Sequence, residues 1–256
     1  MNTSLNDNRR IPRKERIVAV LPAYNAEKTL AQTLHDIPRE WVDDIILVDD
    51  ASTDGTVALS RKLGLTTLVH PVNRGYGGNQ KTCYQEAIKL GADIIIMIHP
   101  DHQYDPTLVP HMLAPLLANE CDAVFGSRML LKGGARKGGM PVWKYVANKA
   151  LTTIENSILG LGLSEYHSGF RAYSQKVLRT VHFQENSDDF VFDTEIIVQL
   201  ALHHFRIKEI PIPTRYFKDA STVGFSRSVA YGTHILHVLG QYILHRLRIH
   251  TYVKFL

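Results

Sequence analysis

The chain opens as an alternation of short apolar runs with longer segments whose apolar positions recur every three to four residues. Residues 17–21 (IVAVL), 45–48 (IILV) and 94–98 (IIIMI) are continuous apolar stretches. Runs this short and unbroken predict strands buried on both faces, as in a parallel sheet. Residues 65–70 and 122–127 complete a set of five. Between them the pattern predicts helices over 26–37, stopped by Pro38, and over 56–63, ended by Gly64. Further helices follow at about 79–90, ended by Gly91, and at 106–119. The β-α-β order predicts an α/β fold with a mainly parallel central sheet flanked by helices. Right-handed crossovers then bring every strand's carboxyl end to one edge.

The second half is less regular. Residues 129–141 (MLLKGGARKGGMP) read as a glycine-rich basic loop, followed by a helix over 142–159. Residues 164–174 return toward the edge that carries the strand ends. A helix over 189–204 and a strand over 207–212 close the core. A last helical stretch, 228–249, carries Tyr231, Ile235, Leu239, Tyr242 and Leu247 as a rough apolar stripe. The expected division is a basic tail (1–15), one catalytic-size domain (16–218) and a C-terminal helical extension (219–256).

Composition changes this picture little. Of 256 residues, 45% are hydrophobic and 21% charged, which is ordinary for a globular chain and excludes global disorder. The net charge of +4 is mildly basic. No basic helix interleaved with stacking aromatics argues for nucleic acid. Cys83 and Cys121 lack metal-ligand spacing and suit a reducing, cytoplasmic setting. No signal peptide and no run of about 20 apolar residues is present, so membrane contact would be peripheral. The basic tail and the last helix, with Arg246, Arg248 and Lys254, are candidates for it, and a core or dimer contact is the competing role for that helix.

The chemistry concentrates where strands end. The run 45–56 (IILVDDASTDGT) delivers Asp49 and Asp50 just beyond a buried strand, where open α/β sheets bind ligands. Asp54, before Gly55 and Thr56, reads as a helix cap. Residues 94–106 (IIIMIHPDHQYDP) repeat the arrangement with Asp101. Asp101 and Gln103 share a face in extended backbone and together suit a hard divalent ion shared with phosphates. Residues 73–81 (NRGYGGNQK) match neither a phosphate-binding loop nor a dinucleotide fingerprint. Their glycines, Gly75 among them, are read as permitting close backbone approach, with Arg74 near phosphate.

Taken in order, PAYN (22–25), DDASTDGT (49–56), NRGYGG (73–78), PDHQYDP (100–106), GSR (126–128) and HSGFRAYS (167–174) resemble the family 2 glycosyltransferases of the GT-A fold. The nearest branch is similar to the polyprenyl-phosphate mannosyl- and glucosyltransferases. The resemblance implies a UDP- or GDP-hexose donor, a Mg²⁺ or Mn²⁺ ion and a lipid-phosphate acceptor. It makes Asp50 the partner of the nucleotide base, with Pro22, Tyr24 and Asn25 lining that pocket. It puts Asp101 at the metal-binding position of a D-x-D motif, with Gln103 beside it. Arg128, Ser168 and Arg171 fall on the sugar and acceptor side, and Arg215 falls near phosphate. His99 stands where the first Asp of that motif is expected, and imidazole suits Mn²⁺ better than Mg²⁺. Glu165 stands where an aspartate is usual.

The implied reaction is an inverting transfer in which the ion and arginines stabilise charge on the departing diphosphate. A hydroxyl acceptor needs a general base, for which Asp193 and Glu195 are the candidates. They are two apart, so on a helix only one can face the site. A lipid phosphate needs no base. Transfer to a glycan, protein or small-molecule hydroxyl is the alternative. Nucleotidyl transfer and non-catalytic nucleotide-sugar binding are more distant ones. Oligomerisation is left open.

Overall fold

The computed structural model describes residues 11–131, 133–213 and 224–256. Its centre is a seven-stranded sheet with strand order β3-β2-β1-β4-β6-β5-β7. The strands are β1 (Ile17–Ala23), β2 (Asp44–Asp49), β3 (Thr66–Val69), β4 (Ile94–Met97), β5 (Ala123–Ser127), β6 (Arg171–Ser174) and β7 (Ile207–Pro211). The helices are α1 (Glu27–Asp36), α2 (Thr56–Lys62), α3 (Gly75–Lys89), α4 (Val109–Leu117), α5 (Gly134–Lys137), α6 (Val142–Leu159), α7 (Gln175–Thr180), α8 (Phe192–Leu202) and α9 (Phe225–Arg246).

The unbroken apolar strands are explained by two cores, one on each face. In β1, Val18 and Val20 point into one cluster, with Ile46 and Val48 of β2 beside them. Ile17, Ala19 and Leu21 point into the other, with Ile45 and Leu47. Alternate side chains of a strand face opposite ways, so a strand covered on both sides has no polar position to spare. The first cluster is closed by α3, α8 and α9, and the second by α1 and α4.

Two expectations change. β6 runs antiparallel to both its neighbours, pairing Ile94 with Ser174 and Ala123 with Tyr173. Not every carboxyl end therefore lies on one edge. The reversal has a use, since the amino end of β6 carries residues 164–171 to the edge where β1, β2 and β4 finish. The glycines of 73–81 start a helix, because α3 begins at Gly75, four positions before the helix predicted from 79. Its close backbone neighbour is residue 188: Gly77 N donates to Asp188 O at 2.8 Å, and a Cβ on Gly75 would lie 2.6 Å from that oxygen.

The C-terminal helix is built into the core. Ile235, Val238, Leu239 and Tyr242 of α9 are buried in the first cluster, whereas Leu247 is exposed. Most of the predicted stripe thus packs inward. Among the described residues no helix is long and apolar enough to cross a membrane.

Candidate active site

A cleft of about 680 Å³ opens along the edge where β1, β2 and β4 end and β6 begins. Pro22, Tyr24, Asn25, Asp50 and Gly75 line one end, His99, Asp101 and Gln103 the middle, and Arg128 and Asp193 the other. The two acidic strand ends therefore converge on one space.

The loops at the first end are tied by side chains that grip backbone N–H groups. Asn25 has φ 51°, a left-handed conformation that Asn tolerates, and its Oδ1 accepts from Thr53 N at 2.9 Å. Asp54 accepts from Thr56 N (3.0 Å) and also from Glu27 N (3.1 Å), so one carboxylate fastens the starts of α1 and α2. Its pKa is lowered: burial opposes ionisation, but the Thr56 hydroxyl and these N–H bonds prevail. Asp50 accepts from His70 Nδ1 (2.7 Å), Arg74 N (2.8 Å) and Gly75 N (2.9 Å). A carboxylate has about four lone-pair sites, which leaves Asp50 little capacity for a ligand. Ala51 at φ 60° and His102 at φ 57° sit immediately after Asp50 and Asp101. Such non-glycine residues cost about 1–3 kcal/mol each and persist where surroundings dictate the turn.

At the middle of the cleft, Asp101 Oδ1 accepts from Gln103 N at 3.0 Å. His99 stacks on Tyr76, with centroids 5.6 Å apart and planes 7° from parallel. Burial lowers its pKa, against the pull of Asp101, so the ring is neutral. Its Nε2 faces Gly169, where a Cβ would approach to 2.5 Å. Among the described residues no three His, Cys, Asp or Glu side chains converge as a closed metal site. The Asp101 carboxylate and Gln103 amide fit a hard divalent ion held jointly with substrate phosphates, which asks only one or two protein ligands.

The far wall is held by buried charges. Arg128 pairs with Glu165 through Nε–Oε1 at 2.8 Å, and Arg128 N donates to Glu165 Oε2 at 2.7 Å. Burial would raise the Glu165 pKa, but Arg128 outweighs it and the carboxyl is held below its usual range. Asp193, at the first turn of α8, accepts from Tyr76 Oη (2.9 Å) and Gln80 Nε2 (3.3 Å), and its carboxylate is ion-paired with Arg171 Nη1 at 3.3 Å. Arg171 is 1% exposed and donates to the carbonyls of Ser168 and Tyr166, both at 2.8 Å. Burial disfavours its charge, yet Asp193 prevails and raises its pKa.

Several expected contacts fall elsewhere. Asp49 is fully buried and accepts from Ser52 N at 2.9 Å, shaping the loop rather than lining the cleft. Arg74 meets Asp50 through its backbone N–H, and its side chain is exposed beside Thr82. Ser168 is buried and donates to Gly126 O. Arg171 lies behind the wall, not on it. Glu195 faces away, accepting from Ser187 N and pairing with Lys254 Nζ at 2.6 Å, so its orientation gives it no access as a base. Arg215 lies outside the described residues. The cleft also gathers residues that sequence spacing did not suggest, including Tyr76, Lys144, His167, Arg227 and Tyr231. Tyr76 and His167 belonged to motif segments already singled out, and Tyr231 to the apolar stripe of the last helix.

A mainly parallel α/β sheet whose acidic strand ends open on one cleft is a nucleotide-binding class of fold. The model of the family described as glycosyl transferase family 2 matches residues 18–181, and the chain belongs to that family of glycosyltransferases. It is 32% identical over 211 residues to an uncharacterised protein of Methanocaldococcus jannaschii, covering 82% of this chain and 86% of that protein. It is 27% identical to the UDP-N-acetylglucosamine–dolichyl-phosphate N-acetylglucosaminyltransferase of Methanococcus voltae, covering 90% of this chain and 94% of that one. The fold matches glucosyl-3-phosphoglycerate synthase of Mycobacterium tuberculosis, solved with Mn²⁺, UDP-glucose and phosphoglyceric acid. The TM-score is 0.70 at 20% identity, covering 90% of this chain and 80% of that one.

Proposed function

We propose that this glycosyltransferase moves a hexose from a UDP- or GDP-sugar to a polyprenyl phosphate. The observation that carries the choice of acceptor is the structural engagement of Asp193. This carboxylate, the candidate base that lines the cleft, accepts from Tyr76 and Gln80 and is paired with the buried Arg171. Taking a proton would cancel the charge that holds Arg171, so the arrangement favours an acceptor that arrives ionised. The Methanococcus relative, named for a dolichyl-phosphate acceptor, supports the same reading.

In this reading Pro22, Tyr24 and Asn25 hold the base and ribose, while Asp101 and Gln103 face the diphosphate. A divalent ion bound there would supply charge stabilisation for the leaving diphosphate. Arg128 and Lys144 add positive field on the acceptor side. The acceptor oxygen attacks the anomeric carbon from the face opposite the diphosphate, inverting its configuration. Membrane contact is part of the proposal. Val142 and Val146 of α6, and Leu236 and Ile243 of α9, are exposed apolar side chains on two helices that pack together near the cleft. We place the enzyme peripherally on a cytoplasmic face, where the buried thiols of Cys83 and Cys121 stay reduced.

The test is transfer of labelled hexose from UDP- and GDP-sugars to polyprenyl phosphate in vesicles, with Mg²⁺ or Mn²⁺. Label extracted into organic solvent as a lipid phosphodiester supports the proposal. Label passing only to hydroxyl acceptors, with lipid phosphate present, overturns it.

A further inference from the structure

Three side chains behind and on the acceptor wall form a chain that the reaction described above does not use. Glu155, on α6, is fully buried, and among the described residues neither of its carboxylate oxygens has a hydrogen-bond partner. Among the described residues its ion-pair partner is His167, whose Nε2 lies 3.2 Å from Oε2. The approach is off the hydrogen-bond axis, so the contact is chiefly electrostatic. The other ring nitrogen, Nδ1, lies 3.3 Å from Tyr231 Oη. The two rings meet edge to face, 5.8 Å between centroids. His167 and Tyr231 both line the cleft, from two different elements, and Glu155 stands behind them.

A carboxylate taken out of water without hydrogen bonds is costly unless a partner neutralises it. A second proton on His167 would do so. Both ring nitrogens then carry hydrogen, and Nδ1–H donates to the Tyr231 oxygen. The phenol's own hydrogen then lies between the neighbouring Thr194 hydroxyl and the cleft, where an anion is the stronger acceptor. Burial first, then the charges of Asp193 and Glu155, raise the Tyr231 pKa, so that hydrogen is retained.

We propose that Glu155, His167 and Tyr231 form a relay that makes the Tyr231 hydroxyl a hydrogen-bond donor to a phosphate oxygen of the acceptor. Tyr231 touches the acceptor; Glu155 and His167 are positioning residues. With Glu155 neutralised, His167 reverts to a neutral ring whose Nδ1 accepts from Tyr231. The phenol then turns its lone pairs toward the incoming anion. The inference rests on the lipid-phosphate reading above and specifies how that site holds its anion.

The experiment is steady-state kinetics of the full chain and of Tyr231→Phe and Glu155→Gln, varying polyprenyl phosphate and sugar nucleotide separately. Loss of one hydrogen bond to a charged group predicts an acceptor KM raised about tenfold or more in Tyr231→Phe. The donor KM should not change. Glu155→Gln should shift the acceptor KM the same way. Its His167 ring nitrogens, read by ¹⁵N NMR, should pass from doubly protonated to neutral. An unchanged acceptor KM in Tyr231→Phe overturns the relay, as does a donor KM that rises in parallel. Tyr231→Phe removes a single oxygen and decides the matter even if Glu155→Gln does not fold. Absence of lipid-phosphate transfer by the unaltered enzyme would instead overturn the acceptor assignment.

Discussion

Along the donor wall of the cleft, side chains fasten backbone N–H groups: Asp54 those of Thr56 and Glu27, Asn25 that of Thr53, Asp50 those of Arg74 and Gly75. Across from it, the acceptor wall stands on buried ions, with Arg128 on Glu165, Arg171 on Asp193 and His167 on Glu155. The first design distributes its stability over many turn bonds, each worth about 1 kcal/mol. The second concentrates it in a few pairs, each costing about 3–5 kcal/mol if one partner is removed. A wall for a bulky nucleotide can thus be shaped by backbone. A wall for an anionic acceptor needs fixed positive charge, and fixed charge in a dry site needs counter-ions behind it.

The strongest break of this contrast is at the middle, where the walls meet. Asp101→Ala should lower transfer by about 10³-fold, near 4 kcal/mol of transition-state stabilisation, if its carboxylate helps hold charge on the diphosphate. Unchanged thermal unfolding alongside full activity would remove Asp101 from the chemistry. Next comes Asp193→Asn, which leaves Arg171 buried without its carboxylate and should cost about 3 kcal/mol of stability. Its turnover should fall less than about tenfold, whereas a lost general base costs about 10²–10⁴-fold. Measuring both separates an acceptor wall held by charge from one that does chemistry with it.

Glu165→Gln sharpens the same point through pH. The folded Glu165 carboxyl is held below its ordinary 4.5, because Arg128 outweighs the burial that would raise it. Its stabilisation is therefore full above that ordinary value and disappears as pH falls through the lowered one. At neutral pH Glu165→Gln should cost about 3 kcal/mol, because it leaves Arg128 buried without a counter-charge. In acid the stability curves of the two proteins should draw together, as denaturant unfolding at several pH values will reveal. A constant gap from neutral to strongly acid pH would mean the pair contributes packing rather than charge.

The contrast also decides what could be read before the fold was known. Strands β1, β2 and β4, and the acids at their ends, are local signals: an apolar run, then a carboxylate, then turn residues. They were legible because a strand buried on both faces leaves no polar positions to confuse the pattern. β6 was not legible as antiparallel, since four residues (Arg171–Ser174) carry no mark of direction. Glu155, His167 and Tyr231 come from three distant segments, and no spacing rule joins them. Ala51 at φ 60° has no sequence signal either, since left-handed turns are read from Gly or Asn. Asp49 and Asp50, adjacent and alike in sequence, point to opposite sides of a strand end, one inward to Ser52 and one to the cleft floor. Which acid faces the ligand depends on the pleat, and that is fixed by the register with β1, Ala23 opposite Asp49.

The smallest expected effect tests the donor wall itself. Asp54→Ala removes one carboxylate from the starts of two helices and should cost about 1 kcal/mol, the usual worth of a cap. Because those helices carry the loops holding Asn25 and the turn after Asp50, the donor KM should rise modestly while the acceptor KM stays put. Asp54→Asn keeps an acceptor oxygen for Thr56 N and should recover most of the loss, since the bond is to backbone and needs geometry more than charge. The corresponding swap of Glu165 to Gln recovers little, because Arg128 needs a counter-charge and not merely an acceptor. If Asn rescued Glu165 as well as it rescues Asp54, the two walls would be built alike and the distinction drawn between them would fail.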